Sequence, residues 1–190
     1  MFQSIVEKLA ATAIAVGSVF FTTVDGTNAV FENPEIHTNG GQVVISATLN
    51  NCFTEELDRL FQSGRPVRFY FRVTLHRNGT GQVIQFNDFH HQVRYNLVDQ
   101  YYQIYLSEKD QTMNAVSLEE VHRHMTAIRG YQVIDESALE TGQEYYVEIR
   151  AYMLKMSLPG VKDEIDMMSY WNKTEPAIRT EPFAKEDLAT

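Results

Sequence analysis

The chain has 190 residues, 44% apolar and 22% charged, with five Pro, ten Gly and one Cys, as expected of one ordinary domain with a short extension. This mix excludes low-complexity, collagen-like and disulfide-scaffold proteins, since a lone Cys52 cannot close an internal bridge. Sixteen basic residues against 25 acidic ones, a formal net charge of −9, disfavour nucleic acid and anionic membrane surfaces as partners.

Leu9 to Val24 carries no charged side chain. That run is shorter than the roughly 20 residues of a spanning helix and has the length of the apolar part of a secretory signal. Thr27-Asn28-Ala29 offers small residues where a signal peptidase reads, so cleavage is expected between Ala29 and Val30. Residues 1–29 therefore read as a signal peptide, or as an N-terminal anchor if uncleaved. The protein is expected to be exported, either periplasmic or envelope-associated.

From Gln42 the pattern turns to period two, the mark of half-buried strands, with Val43, Ile45, Ala47 and Leu49 on one side. Thr54-Glu55-Glu56 opens a short helix with a capping oxygen and acids at its positive end; Phe53, Leu57, Leu60 and Phe61 form its stripe, and Gly64 stops it. Val67 to His76 is the clearest strand. Val67, Phe69, Phe71, Val73 and Leu75 point one way, while Arg68, Tyr70, Arg72, Thr74 and His76 point the other. Asn78-Gly79-Thr80-Gly81 turns the chain into a run from Val83 to Leu97, with a bend expected near Asn87-Asp88, and Tyr102, Ile104 and Leu106 resume the alternation.

Ser117-Leu118-Glu119-Glu120 is a capping box, with Val116 and Val121 placed as a hydrophobic staple; the helix is expected to run to Gly130. A short strand at Tyr131 to Ile134 and a long one at Glu144 to Met156 follow, Pro159-Gly160 breaks the latter, and Ile165 to Trp171 is a candidate edge strand. From Thr174 the chain is polar and reads as a flexible tail. The order implies a mainly β protein, an antiparallel β-sandwich (immunoglobulin-like) with two short connecting helices. An α+β layer with both helices on one face of an antiparallel sheet is the alternative. A single β-rich domain is expected over residues 33–172, with a tail over 173–190.

The residues offer little chemistry. His90 and His91 are neighbours on a strand and face opposite sides, and His122 and His124 fall on opposite flanks of a helical stripe. No metal-ligand spacing, nucleophile elbow or phosphate-binding loop is present, and Cys52 reads as a small core residue. The sequence therefore predicts no enzyme and no cofactor. The outward side of the central strand is more informative. Arg68, Tyr70 and Arg72 alternate cationic and aromatic groups, and Tyr101, Tyr105, Tyr146 and Tyr152 are placed outward on neighbouring strands. Tyr and Arg are enriched at protein interfaces, although a half-exposed sheet favours tyrosine on its own account.

The segments SGRPVRFYFRVTLHR (Ser63 to Arg77), YNLVDQYYQIYL (Tyr95 to Leu106), SLEEVHRHM (Ser117 to Met125) and LETGQEYYVEIRAYM (Leu139 to Met153), with the later Leu158-Pro159 and Trp171, resemble a bacterial family of small exported proteins catalogued only as a domain of unknown function. The likeness spans roughly residues 33–171 and rests on turn and core patterns. It implies an envelope location and no assigned activity. The functional expectation is a non-catalytic protein-interaction module of the cell envelope, with Arg68, Tyr70, Arg72, Tyr101 and Tyr105 as the candidate surface. It would touch the membrane only through an uncleaved N-terminal segment. The alternative is a periplasmic carrier of an apolar small molecule or lipid.

Overall fold

Alternating apolar side chains draw most of the chain into antiparallel strands, and the computed structural model describes residues 25–157 and 164–188. The uncharged Leu9–Val24 run and Pro159-Gly160 lie outside the described residues. β1 (Val30–Asn39) and β2 (Gln42–Asn50) form a hairpin closed by Gly40 and Gly41, both at positive φ, as a primed turn requires. α1 (Glu55–Phe61) follows, then β3 (Val67–Arg77), β4 (Val83–Asn96), β5 (Tyr101–Leu106) and β6 (Gln111–Ala115) as a meander. α2 (Leu118–Thr126) leads into β7 (Ala127–Asp135), and β8 (Glu144–Tyr152) returns to pair with β3. β9 (Ala177–Arg179) and β10 (Phe183–Ala184) then pair with β8.

Two antiparallel sheets result: β1-β2-β7, and a larger one in the order β10-β8-β3-β4-β5-β6 with β9 also on β8. The expected mainly β, sandwich-like architecture with two helices is the one observed. The small sheet packs on the large one through Phe31 against Phe71 and Tyr131 against Phe89, with ring centroids 6.4 and 4.5 Å apart. The helices lie over the same inner face. Phe53, just before α1, and Phe61, its last residue, reach Phe69, and Trp171 meets Phe69 edge-on at 4.9 Å. Val67, Phe69, Phe71, Val73 and Leu75 are all buried, each contributing roughly 1.5–3 kcal/mol before entropy is counted.

Several local expectations are corrected. β1 precedes Gln42, where the period-two pattern becomes legible in the sequence. Asn33 at positive φ and Pro34 make a bulge between Glu32 and Glu35, so Phe31 and Ile36 face the core despite their odd spacing. The irregularity between β3 and β4 falls at Leu75/His76, opposite Gln85 and Val83, and not at Asn87-Asp88. Ser117 caps α2 by accepting from the Glu120 N–H, yet Glu120 accepts from the Val116 N–H and Val116 stands exposed, so the staple does not form. α2 ends at Thr126. Gly130, at positive φ, instead lies within β7 and donates its N–H to Ser46 Oγ. Ile165 to Trp171 is not a strand. Ile165 bridges Met156, and Met167–Trp171 forms a 3-10 turn capped by Asp166, with the fully buried Trp171 indole donating to the Cys52 carbonyl at 2.9 Å.

Of the expected flexible tail over 173–190, the described residues through 188 are likewise docked. Phe183 and Thr180 are buried, and Thr180 Oγ1 accepts from the Val147 N–H at 3.0 Å. Its composition misleads because a short edge strand is held by ladder bonds and by a single apolar anchor, neither of which raises mean hydropathy.

One polar pair lies inside the core. His91, fully buried on the inner side of β4, points Nδ1 at the Met125 carbonyl (3.0 Å) and Nε2 at the Glu108 carboxyl (3.3 Å), tying α2 to the β5–β6 connection. A carbonyl only accepts, so Nδ1 carries a proton. Burial pushes the Glu108 carboxyl up. The hydrogen bond and charge of His91, with the local backbone N–H and Lys109, outweigh this and hold it below the usual carboxylate range. Its contribution to stability is therefore complete above that range and is lost as pH falls through the lowered native value. Glu108→Gln is expected to cost about 1–3 kcal/mol at neutral pH and to flatten the acid limb of stability against pH, as read by urea unfolding across an acid series.

Candidate interaction surface

Period-two geometry leaves the side of β3 opposite the core to Arg68, Tyr70, Arg72, Thr74 and His76, and strand pairing sets their neighbours. Tyr70 lies opposite Tyr152 on β8 and His90 on β4. The Tyr70 and Tyr152 rings stack at 5.3 Å and 15°, Tyr70 and His90 lie 5.6 Å apart, and His90 and Tyr105 5.8 Å apart. Tyr152, Tyr70, His90 and Tyr105 thus form one partly exposed aromatic ladder across β8, β3, β4 and β5. The spacing of the ring centroids follows the roughly 4.8 Å between strands.

A charged row runs beside the ladder. Arg72 and Arg150 are directly opposite each other, an arrangement that repels unless counter-charges are supplied. Asp88 binds Arg72 bidentately, both bonds at 2.7 Å, and this raises the guanidinium pKa further while holding the carboxyl below its usual range. Glu148 accepts from Arg150 at 2.7 Å and from Arg179 at 2.8 Å. Burial pushes the Glu148 carboxyl up, and the two arginines more than reverse that. Arg72 also lies 5.5 Å over Phe86, which is 58% exposed, and Arg179 lies 5.2 Å over Tyr146, which in turn stacks on His76.

Of the sequence-selected residues, Arg68, Tyr70, Arg72 and Tyr105 are brought together. Arg68 donates to Gln92 at 2.7 Å and Tyr105 to Asp110 at 3.0 Å. Tyr101 pairs with Asn96 at the far end of β5, about 13 Å along the strand from Tyr105, and stands apart from the ladder. Sequence reasoning missed His90, Phe86, Arg150 and Arg179. His90 was legible from its outward parity beside buried His91, whereas the others needed the β3–β8–β9 register. Cys52 is fully buried, donates to the Leu49 carbonyl, and has its thiol pKa pushed up chiefly by burial, which keeps it protonated and unreactive. Among the described residues, no three His, Cys, Asp or Glu side chains gather as a metal site, and no helix is long and apolar enough to cross a membrane.

The expected cleavage position meets a folded edge. Ala29 is buried, and Val30, which starts β1, is exposed. The preceding residues are clasped to the 3-10 turn: the Thr27 N–H donates to the Tyr170 carbonyl at 2.9 Å, and Asn172 Nδ2 to Asn28 Oδ1 at 2.8 Å. Asn51 donates to the Asn28 carbonyl at 3.0 Å, and a Cβ on Gly26 would collide with the Ser169 carbonyl and with Asn172. A chain beginning at Val30 is therefore expected to be about 1–3 kcal/mol less stable than one beginning at Gly26, a difference that paired urea denaturation curves would register. The ladder yields a second expectation. Burial first, then the Arg68 and His91 charges, hold the His90 imidazole below its ordinary value. Ring-carbon NMR shifts should follow its titration at a pH lower than that of a free histidine, and Arg68→Gln should return it part of the way.

No curated protein and no solved structure matches the chain. A family model matches residues 26–173, so it begins at the glycine that opens the clasp and ends just past the 3-10 turn that holds it. The chain belongs to the family described as a domain of unknown function (DUF4390).

Proposed function

We propose that this protein is a non-catalytic binding module of the cell envelope that holds a protein partner on the outer face of its large sheet. The observation that carries this reading is the Tyr152–Tyr70–His90–Tyr105 ladder, bordered by Arg68 and Arg72 and facing away from the core. Aromatic and arginine side chains provide large contact area at low entropic cost, and here their geometry is already fixed by stacking and ion pairs, so little ordering remains to be done on binding. The uncharged stretch from Leu9 to Val24 supports export of the domain.

The test is site-specific photocrosslinking in the native host, with the reactive group placed at Tyr70 or Tyr105 and, as a control, at His37 on β1. One discrete protein is expected to be trapped from the two ladder positions in an envelope fraction and not from His37. Arg68→Glu with Arg72→Glu should abolish the adduct while lowering stability by less than about 1 kcal/mol, because both arginines are solvent-exposed. An adduct that survives both reversals would remove this face as the site.

A further inference from the structure

The large sheet has a notch at one end. β3 pairs with β4 from Val67 onward, yet its pairing with β8 begins only at Tyr70 opposite Tyr152. Beyond Tyr152 the chain leaves the sheet: the Met153 N–H contacts Met168 Sδ, and Met156 bridges Ile165. Val67, Arg68 and Phe69 therefore lack a β8 neighbour on that side. An open groove of about 240 Å³ fills the gap, with Leu154, Met156 and Met167 contributing apolar surface and Arg65, Arg68 and Lys155 contributing charge. Among the described residues none of these three cations makes an ion pair; Arg68 bonds only the neutral Gln92, and Glu164 accepts from Ser157. Elsewhere on this face Arg72 pairs with Asp88, and Arg150 and Arg179 share Glu148. In a chain of net charge −9, three cations without an ion pair among the described residues, beside a stretch of β3 that β8 does not cover, are a local reversal of sign.

We propose that this notch receives an extended acidic segment of the partner protein, which continues the β3 ladder across the gap. Its carboxylates would meet Arg65, Arg68 and Lys155, and an apolar side chain would lie on Leu154 and Met156. The backbone supplies general affinity, the cations select acidic sequences, and the apolar surface sets register, which is how strand addition divides its tasks. This deepens the reading of the outer face, on which it rests, by naming where an approaching chain is anchored and what its chemistry is.

The probe is a fluorescein-labelled peptide of alternating Glu and Leu, titrated by anisotropy against the full chain at low and moderate salt, with the Lys–Leu peptide as counterpart. The acidic peptide should bind, and Arg65→Glu with Lys155→Glu should weaken it by roughly tenfold or more. Arg129→Glu, an exposed reversal on β7 of the small sheet, should leave binding essentially unchanged. Arg65 and Lys155 are exposed, so the variants retain the fold, which circular dichroism confirms independently. Equal binding of the Lys–Leu peptide, or acidic-peptide binding indifferent to the double reversal, would overturn the proposal. Self-association at the notch, seen as a concentration-dependent dimer abolished by Arg65→Glu, would overturn it in favour of a second copy. Failure at the notch with a retained Tyr70 crosslink leaves the outer-face reading intact. A filled notch with no crosslink removes the outer-face reading alone.

Discussion

Placing β3 in the middle of the large sheet obliges one strand to serve two environments, and its strict alternation is what allows this. Five consecutive inward positions are apolar and buried, so the strand's register cannot slip by one residue without moving all five into water. That penalty fixes which residues face outward. The same register places Tyr70 between Tyr152 and His90 and Arg72 between Arg150 and Asp88. The outer face is thus a consequence of core burial, with a geometry held as firmly as the core itself.

The outer face then has to resolve its own electrostatics. Arg72 and Arg150 meet as like charges, and two carboxylates answer them in different ways. Asp88 is exposed enough that its pair with Arg72 contributes little net stability and serves mainly to orient the guanidinium. The Glu148 side chain is only 10% exposed, and its two oxygens are taken by Arg150 within β8 and by Arg179 on β9. Because Glu148 is nearly desolvated, removing either arginine leaves part of a buried charge uncompensated. β9 is consequently bound to the sheet by charge as well as by ladder bonds, and the tail takes part in the surface through Arg179 over Tyr146.

Where the sequence was legible, one local period decided the structure. The apolar faces of β2, β3 and β8 recur at period two, the Thr54 and Ser117 caps sit where their side-chain oxygens say, and the opposite facing of His90 and His91 follows from parity alone. The misses share a different cause. The bulge at Asn33-Pro34 breaks the parity of β1, the polar β6 has no stripe, and β9 and β10 are short edges whose partners are remote in sequence. Gly130 looked like a helix stop because positive φ serves a cap and a strand irregularity equally well. For the surface, the residues of β3 were visible and their neighbours were not. Phe86, Arg150 and Arg179 join it only once β4, β8 and β9 are in register.

The 3-10 turn Met167–Trp171 links the parts of the molecule that the sheets alone would leave separate. Trp171 enters the core against Phe69 and holds the Cys52 carbonyl, which fixes the turn to the stretch between β2 and α1. The carbonyl of Tyr170 receives the Thr27 N–H, so the same turn holds the segment leading into β1. Met167 forms part of the notch beside β3. A buried indole is difficult to displace because both its area and its N–H partner are lost together. The same turn therefore joins the entry of the chain, through Thr27, to the open end of β3, through Met167.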